Sequence, residues 1–130
     1  MLNKILIGLF LAILLMIPGL SKAKDSEHLA RIMYGESRGE SVEGVVGIGE
    51  AAVNRSRRSG VPLHRLMGVH KVKPPKSLLS HYTSLANSVL SSKKFTVKDA
   101  DSWNKGKKPH LPGKITRQIG AHVFYVMAKL

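Results

Sequence analysis

Between Ser41 and Gly60 the chain sets three glycines, Gly44, Gly47 and Gly49, among apolar residues spaced as in a helix. Val42, Val45, Val46, Ile48, Ala52 and Val53 supply the apolar faces, and Ser41 offers an N-cap. The run from Arg55 to Gly60 reads as a basic helix end followed by a stop. Each interior glycine lowers helicity by up to ~1 kcal/mol relative to alanine. A helix carrying three of them needs close neighbours to offset that cost. The spacing therefore predicts a helix from Val42 to about Arg58 packed tightly against another helix.

Two more helices follow from periodicity. Asp25 or Ser26 can cap one that runs to about Ser37, with Leu29, Ile32 and Met33 at i, i+3, i+4. The other spans Ser77 to Ser92, where Leu78, Tyr82, Leu85 and Val89 form a stripe flanked by Leu79, Ala86 and Leu90. That stripe reads as plain core. Residues 60–76 carry Gly60, Pro62, Gly68, Pro74 and Pro75, and read as loop with one short turn of helix. Residues 93–114 read as a long Lys-rich loop holding Trp103. From Ile115 to Leu130 the pattern is ambiguous: Val123–Val126 is β-like, whereas the approach to Ile119 also suits a helix.

The N-terminus has the anatomy of an export signal. Lys4 precedes the apolar run Ile5–Ile17, Pro18-Gly19 ends it, and Ser21-Lys22-Ala23 offers small residues before a cut. Residues 1–23 are expected to be a signal peptide, or a signal anchor retained through residues 5–21. The 17 uncharged residues between Lys4 and Lys22 are at the short end for a spanning helix. Either way residues 24–130 form an exported domain of the periplasm or cell wall.

Composition narrows the chemistry. There is no cysteine, which excludes a disulfide scaffold, a thiolate zinc site and a cysteine nucleophile together. The six histidines show no HxxxH or HExxH spacing, so no metal and no cofactor is expected. The net charge of +13 invites a polyanionic partner, and it is unevenly spread. Residues 24–50 hold six of the eight acids against Lys24, Arg31 and Arg38, a net of −3; residues 51–130 net +14. An acidic block inside a basic chain suits a carboxylate enzyme on an anionic envelope better than a nucleic-acid binder. Aromatic content of 5% also disfavours a stacking platform for single strands, and no nucleic-acid partner is expected.

Within that block Glu36 takes the i+7 position of the Leu29 stripe, within ~20° of the Leu29 direction. A carboxylate is thus expected where a core residue belongs. It is either ion-paired, with Arg31, Arg38 or Arg55, or a general acid holding a proton in apolar surroundings. Glu40 and Glu43 follow, though Gly39 makes continuation of the helix doubtful and both suit a surface or cap. Glu50, on an apolar flank of the second helix, is a candidate second buried carboxylate or the partner of an arginine.

The segment Leu29-Ala-Arg-Ile-Met-Tyr-Gly-Glu36-Ser-Arg-Gly-Glu40, continuing through Glu43-Gly44 to Asn54-Arg55, resembles the opening of the spore-cortex-lytic type of cell-wall hydrolase. Relatives of that domain occur in other bacteria and in phages. The closing motif of the same family is similar to Ile119-Gly120-Ala-His122-Val-Phe124-Tyr125. The resemblance spans about Leu29–Val126. It departs from the family at Lys76–Ser80, at Pro109-His110, and at Glu50, where the family has a small or apolar residue.

The resemblance implies an α+β, mostly helical, lysozyme-like single domain with a small β element, related to goose-type lysozymes and soluble lytic transglycosylases. It implies Glu36 as the catalytic acid. The substrate would be the glycan strand of peptidoglycan, cut between N-acetylmuramic acid and N-acetylglucosamine. A monomeric lytic transglycosylase is expected first, and a muramidase with a second carboxylate, Glu50 or Glu40, second. Tyr125, Trp103 and His122 are candidates to line the substrate groove; Tyr125 and His122 suit the core of a terminal strand equally well. Asn54-Arg55 is expected to anchor the Glu36 helix. The rival reading is a basic envelope- or nucleic-acid-binding module without catalysis.

Overall fold

The computed structural model describes residues 18–68 and 72–130, with side chains for residues 24–66 and 72–130. The export-signal expectation covers residues 1–23, of which residues 1–17 lie outside the described residues. Helix α1 (Pro18–Ser37) begins well before the expected cap, because the Ser-Lys-Ala-Lys approach favours helix and offers no break. Ser26 is therefore no cap: its buried hydroxyl donates to Asn87 Oδ1. A short chain reversal follows, with Gly39 in the left-handed region (φ 85°). Helix α2 (Val42–Ser59) starts on the Ser41 side chain, which accepts from the Gly44 amide at 3.2 Å, and ends on left-handed Gly60. A 3-10 helix (Leu63–Gly68) supplies the short turn expected after it. Helix α3 is Lys76–Ser91. Among the described residues no helix is long and apolar enough to cross a membrane.

The C-terminal third is a small antiparallel sheet of β1 (Ser102–Lys105), β2 (Gly113–Ile119) and β3 (His122–Met127), ordered β1-β3-β2. Two expectations are corrected here. Trp103 is in a strand, opposite Phe124, not in a long loop, and the approach to Ile119 is a strand, not a helix. The physical reason is the same in both cases. Polar, non-alternating Ser102–Lys105 and Gly113–Ile119 become strands only because the apolar β3 supplies backbone partners on both sides. The β2–β3 ladder slips between Ile115 and Arg117, and the Thr116 hydroxyl at this bulge donates to Val97 O at 2.8 Å.

One core joins the layers. Leu29, Ile32 and Met33 of α1, Val45, Ile48 and Ala52 of α2, and Ala86 and Val89 of α3 meet Val97, Ile119 and Phe124. The glycines of α2 serve two different neighbours. Gly49 faces Met33 of α1, as close helix packing requires, but Gly47 faces Phe124, Val97 and Ile119 on the sheet side. The α3 stripe is only half core: Val89 is buried, Tyr82 and Leu85 are half-buried, and Leu78 and Leu79 are 41% and 45% exposed. The class is α+β, about half helical, with a three-stranded sheet.

Candidate active site

Glu36 occupies the last turn of α1, next to buried Ser37, and is half-buried. The periodicity placed it fully on the core face; the structure places it where that face runs out, one turn past buried Met33. Nearby, Arg31 pairs with Glu27 at 2.5 Å, and Arg38 lies over the Tyr34 ring at 5.3 Å.

The chain then turns, with the Glu40 amide donating to Ser37 O at 3.0 Å, and Glu40 points inward. Its side chain is 11% exposed, and Oε1 lies 3.1 Å from Nδ1 of His122, whose side chain is 3% exposed. The contact has the distance of an ion pair without the alignment of a hydrogen bond, so this ring nitrogen is buried with no hydrogen-bond partner. The other Glu40 oxygen sits against Gly44 of α2 and Gly120 of the β2–β3 turn, where an added Cβ would come within 3.4 and 3.1 Å. Glu40 and His122, distant in sequence, thus join the end of α1, the start of α2 and the hairpin turn. Glu43 stays on the surface, 3.7 Å from Arg117 of β2.

Glu50 is the fully buried carboxylate of this region, 3% exposed. Its Oε1 accepts the Thr96 and Val97 amides at 3.0 and 3.3 Å, and Oε2 lies 3.1 Å from the Thr96 nitrogen. Burial pushes its pKa up, and the two amides pull the other way. Among the described residues no arginine pairs with it. The residue is the first rung of a ladder along one face of α2, at i, i+4 and i+8. Asn54 Nδ2 donates to Lys98 O and Ala100 O, both at 2.9 Å. Arg58 pairs with fully buried Asp101 and donates to Met127 O at 2.9 Å. Asn54 therefore holds the segment before β1 and does not anchor the Glu36 helix. Asp101 completes the ladder, accepting the Met127 amide at 2.9 Å and the Ser102 hydroxyl at 3.0 Å. The sequence signal for this face was the Glu50-Asn54-Arg58 spacing, three polar residues at helical period along α2, which does not name their partners.

The three expected groove residues are not brought to one surface. Trp103, Phe124 and His122 share the sheet face that meets the helices, since Trp103 and Phe124 are register partners and His122 lies two residues on. Trp103 is half-buried against the core. Tyr125 points to the opposite face, 2% exposed, in a separate cluster with Val123 and Met127. Among the described residues no group of three His, Asp or Glu could hold a metal ion.

The backbone is similar to the crystal structure of the catalytic domain of the Bacillus cereus SleB protein, with a TM-score of 0.58 and 17% sequence identity. The match covers 78% of this chain and 88% of that one. At that identity the likeness is one of fold. No protein-family model matches the chain, and no curated protein sequence does.

Proposed function

We propose that the chain is an exported enzyme that cleaves the glycan strand of peptidoglycan between N-acetylmuramic acid and N-acetylglucosamine, acting as a lytic transglycosylase. The observation that carries the reading is Glu36. It is the glutamate of the Tyr-Gly-Glu motif, half-open at the end of α1, in a fold shared with a catalytic domain. Its carboxyl would protonate the glycosidic oxygen as the C1–O bond breaks. The resulting carboxylate would then take the proton of the muramic acid 6-hydroxyl as that oxygen closes on C1. The product is a 1,6-anhydro end, no water is consumed, and Glu36 regains its proton.

A hydrolytic mechanism needs a second carboxylate free to act on water or on the sugar. The two candidates are turned away from that work. Glu50 is buried on backbone amides, and Glu40 is set against His122, Gly44 and Gly120. Their engagement supports the one-carboxylate chemistry. In this reading Glu40 and His122 brace the corner that carries Glu36, and Trp103 is the groove candidate left partly accessible.

The test is mass spectrometry of purified peptidoglycan after digestion. Wild-type protein should release anhydromuramic fragments, and Glu36→Gln should release none while its circular dichroism is unchanged. Reducing ends without anhydro product would replace the transglycosylase by a muramidase. Full activity in Glu36→Gln would remove Glu36 from the chemistry.

A further inference from the structure

A concave site lies at the far end of α2 from Glu36. A cavity of about 220 Å³ is lined by Asn54 and Arg57 of α2 and by Lys93, Phe95, Lys98 and Asp99 of the segment that follows α3. Arg57 is thirteen residues beyond Gly44, the α2 residue beside Glu40, which separates the two ends by roughly 20 Å of helix. Three basic residues and one acidic residue, all exposed, line it.

Two features restrain parts of this rim. The guanidinium of exposed Arg57 lies over the Phe95 ring, 5.7 Å from its centre, a cation–π contact that restrains the side chain on this rim. Lys98 has a left-handed backbone (φ 58°), a conformation residues with a Cβ seldom adopt. Its carbonyl is fixed by Asn54, and the neighbouring Thr96 and Val97 amides by Glu50. Local strain maintained by surrounding bonds is a frequent mark of a site. The fold holds a lysine in a conformation that favours glycine, on the rim of a cavity shared with Arg57 and Lys93.

We infer that this cavity binds a phosphate group carried by a polyanion of the cell envelope, independently of glycan cleavage. The size favours a single anionic group, since cavities that enclose whole small molecules begin at about 300 Å³. The charge excess and the forked guanidinium favour a tetrahedral oxyanion, which can accept from several N–H groups at once. Bound there, the polymer would keep the protein on its substrate surface while the opposite end of α2 faces the glycan.

The experiment titrates the full chain with inorganic phosphate by calorimetry and sediments it with purified walls. The walls are either intact or stripped of phosphodiester polymer. The variants are Arg57→Gln and Lys98→Gly; the glycine suits the left-handed backbone, so its melting temperature should not fall. Loss of either cation should weaken phosphate binding about tenfold. Stripping the walls should release the protein, and added salt should do the same. If phosphate binds but stripping changes nothing, the site stands and its ligand is free phosphate. Binding of phosphate and walls by the double variant as by wild type would overturn the proposal. So would displacement from walls by double-stranded DNA at lower concentration than by wall polymer. Glu36→Gln should bind as wild type, which separates failure of this site from failure of the cleavage chemistry.

Discussion

The carboxyl of Glu50 sits in a place with almost no water, and two backbone amides reach it there. Desolvation dominates and raises its pKa above the ordinary 4.5. The folded chain therefore holds this proton more tightly than the unfolded chain does. Its contribution to stability is fully present below the unfolded value and is lost as pH rises through the folded one. Glu50→Gln has no proton to lose. Urea unfolding at pH 4 and pH 8 should show wild type losing stability relative to Glu50→Gln as pH rises. A pH-independent difference between the two would mean that Glu50 ionises in the fold without cost. Sequence reasoning found Glu50 as a buried carboxylate, yet not its partners, because the amides it binds lie beyond α3 and carry no side-chain signature. Glu36 was the reverse case. Its motif and helical phase could be read directly, but how far the core extends along α1 depends on what packs over it.

At the level of elements, the two central glycines of α2 make a matched pair. A Cβ at Gly47 would stand 2.9 Å from Phe124 Cζ, 3.2 Å from Val97 Cγ1 and 3.3 Å from Ile119 Cδ1, all in the packed core. Overpacking of that kind costs about 1–3 kcal/mol, against a helix gain of at most about 1 kcal/mol. The three atoms nearest a Cβ at Gly49 all belong to the Met33 side chain, with Sδ at 2.9 Å, and a thioether can move aside. Gly47→Ala should lower stability by about 1–2 kcal/mol, whereas Gly49→Ala should fall within about 0.5 kcal/mol of wild type in denaturant unfolding. Equal effects would mean that the two sides of α2 are equally yielding. Glycine density alone predicted close packing and could not say that one glycine serves a helix and the other a sheet. The α3 stripe erred in the opposite direction, since periodicity identifies a face but not whether a neighbour covers all of it.

For the whole molecule the decisive bonds run between the helical layer and the sheet. Asp101 is fully buried and takes up the Arg58 guanidinium, the Met127 amide and the Ser102 hydroxyl, so that α2, β1 and the end of β3 meet on one side chain. Asp101→Ala would leave the Met127 N–H and the Arg58 charge without this acceptor. The expected loss is about 2–4 kcal/mol. Most of it belongs to the buried amide, because Arg58 keeps 39% of its side chain in solvent. Chemical denaturation measures this, and a loss under about 0.5 kcal/mol would show that Asp101 contributes little to joining the two layers.

The helical half of the chain could be read in one dimension, because helix periodicity, caps and stop signals are local and the apolar stripes repeat within a few residues. The acidic block and its motif glutamate could be read in the same way. The sheet could not, because β1 and β2 are polar strands that exist only through their pairing with β3. Nor could the pairing of Glu40 with His122, the partners that Glu50, Asn54 and Arg58 take beyond α3, or the cationic cavity beside them. Each joins residues far apart along the chain, and only burial of the shared core brings them within bonding distance.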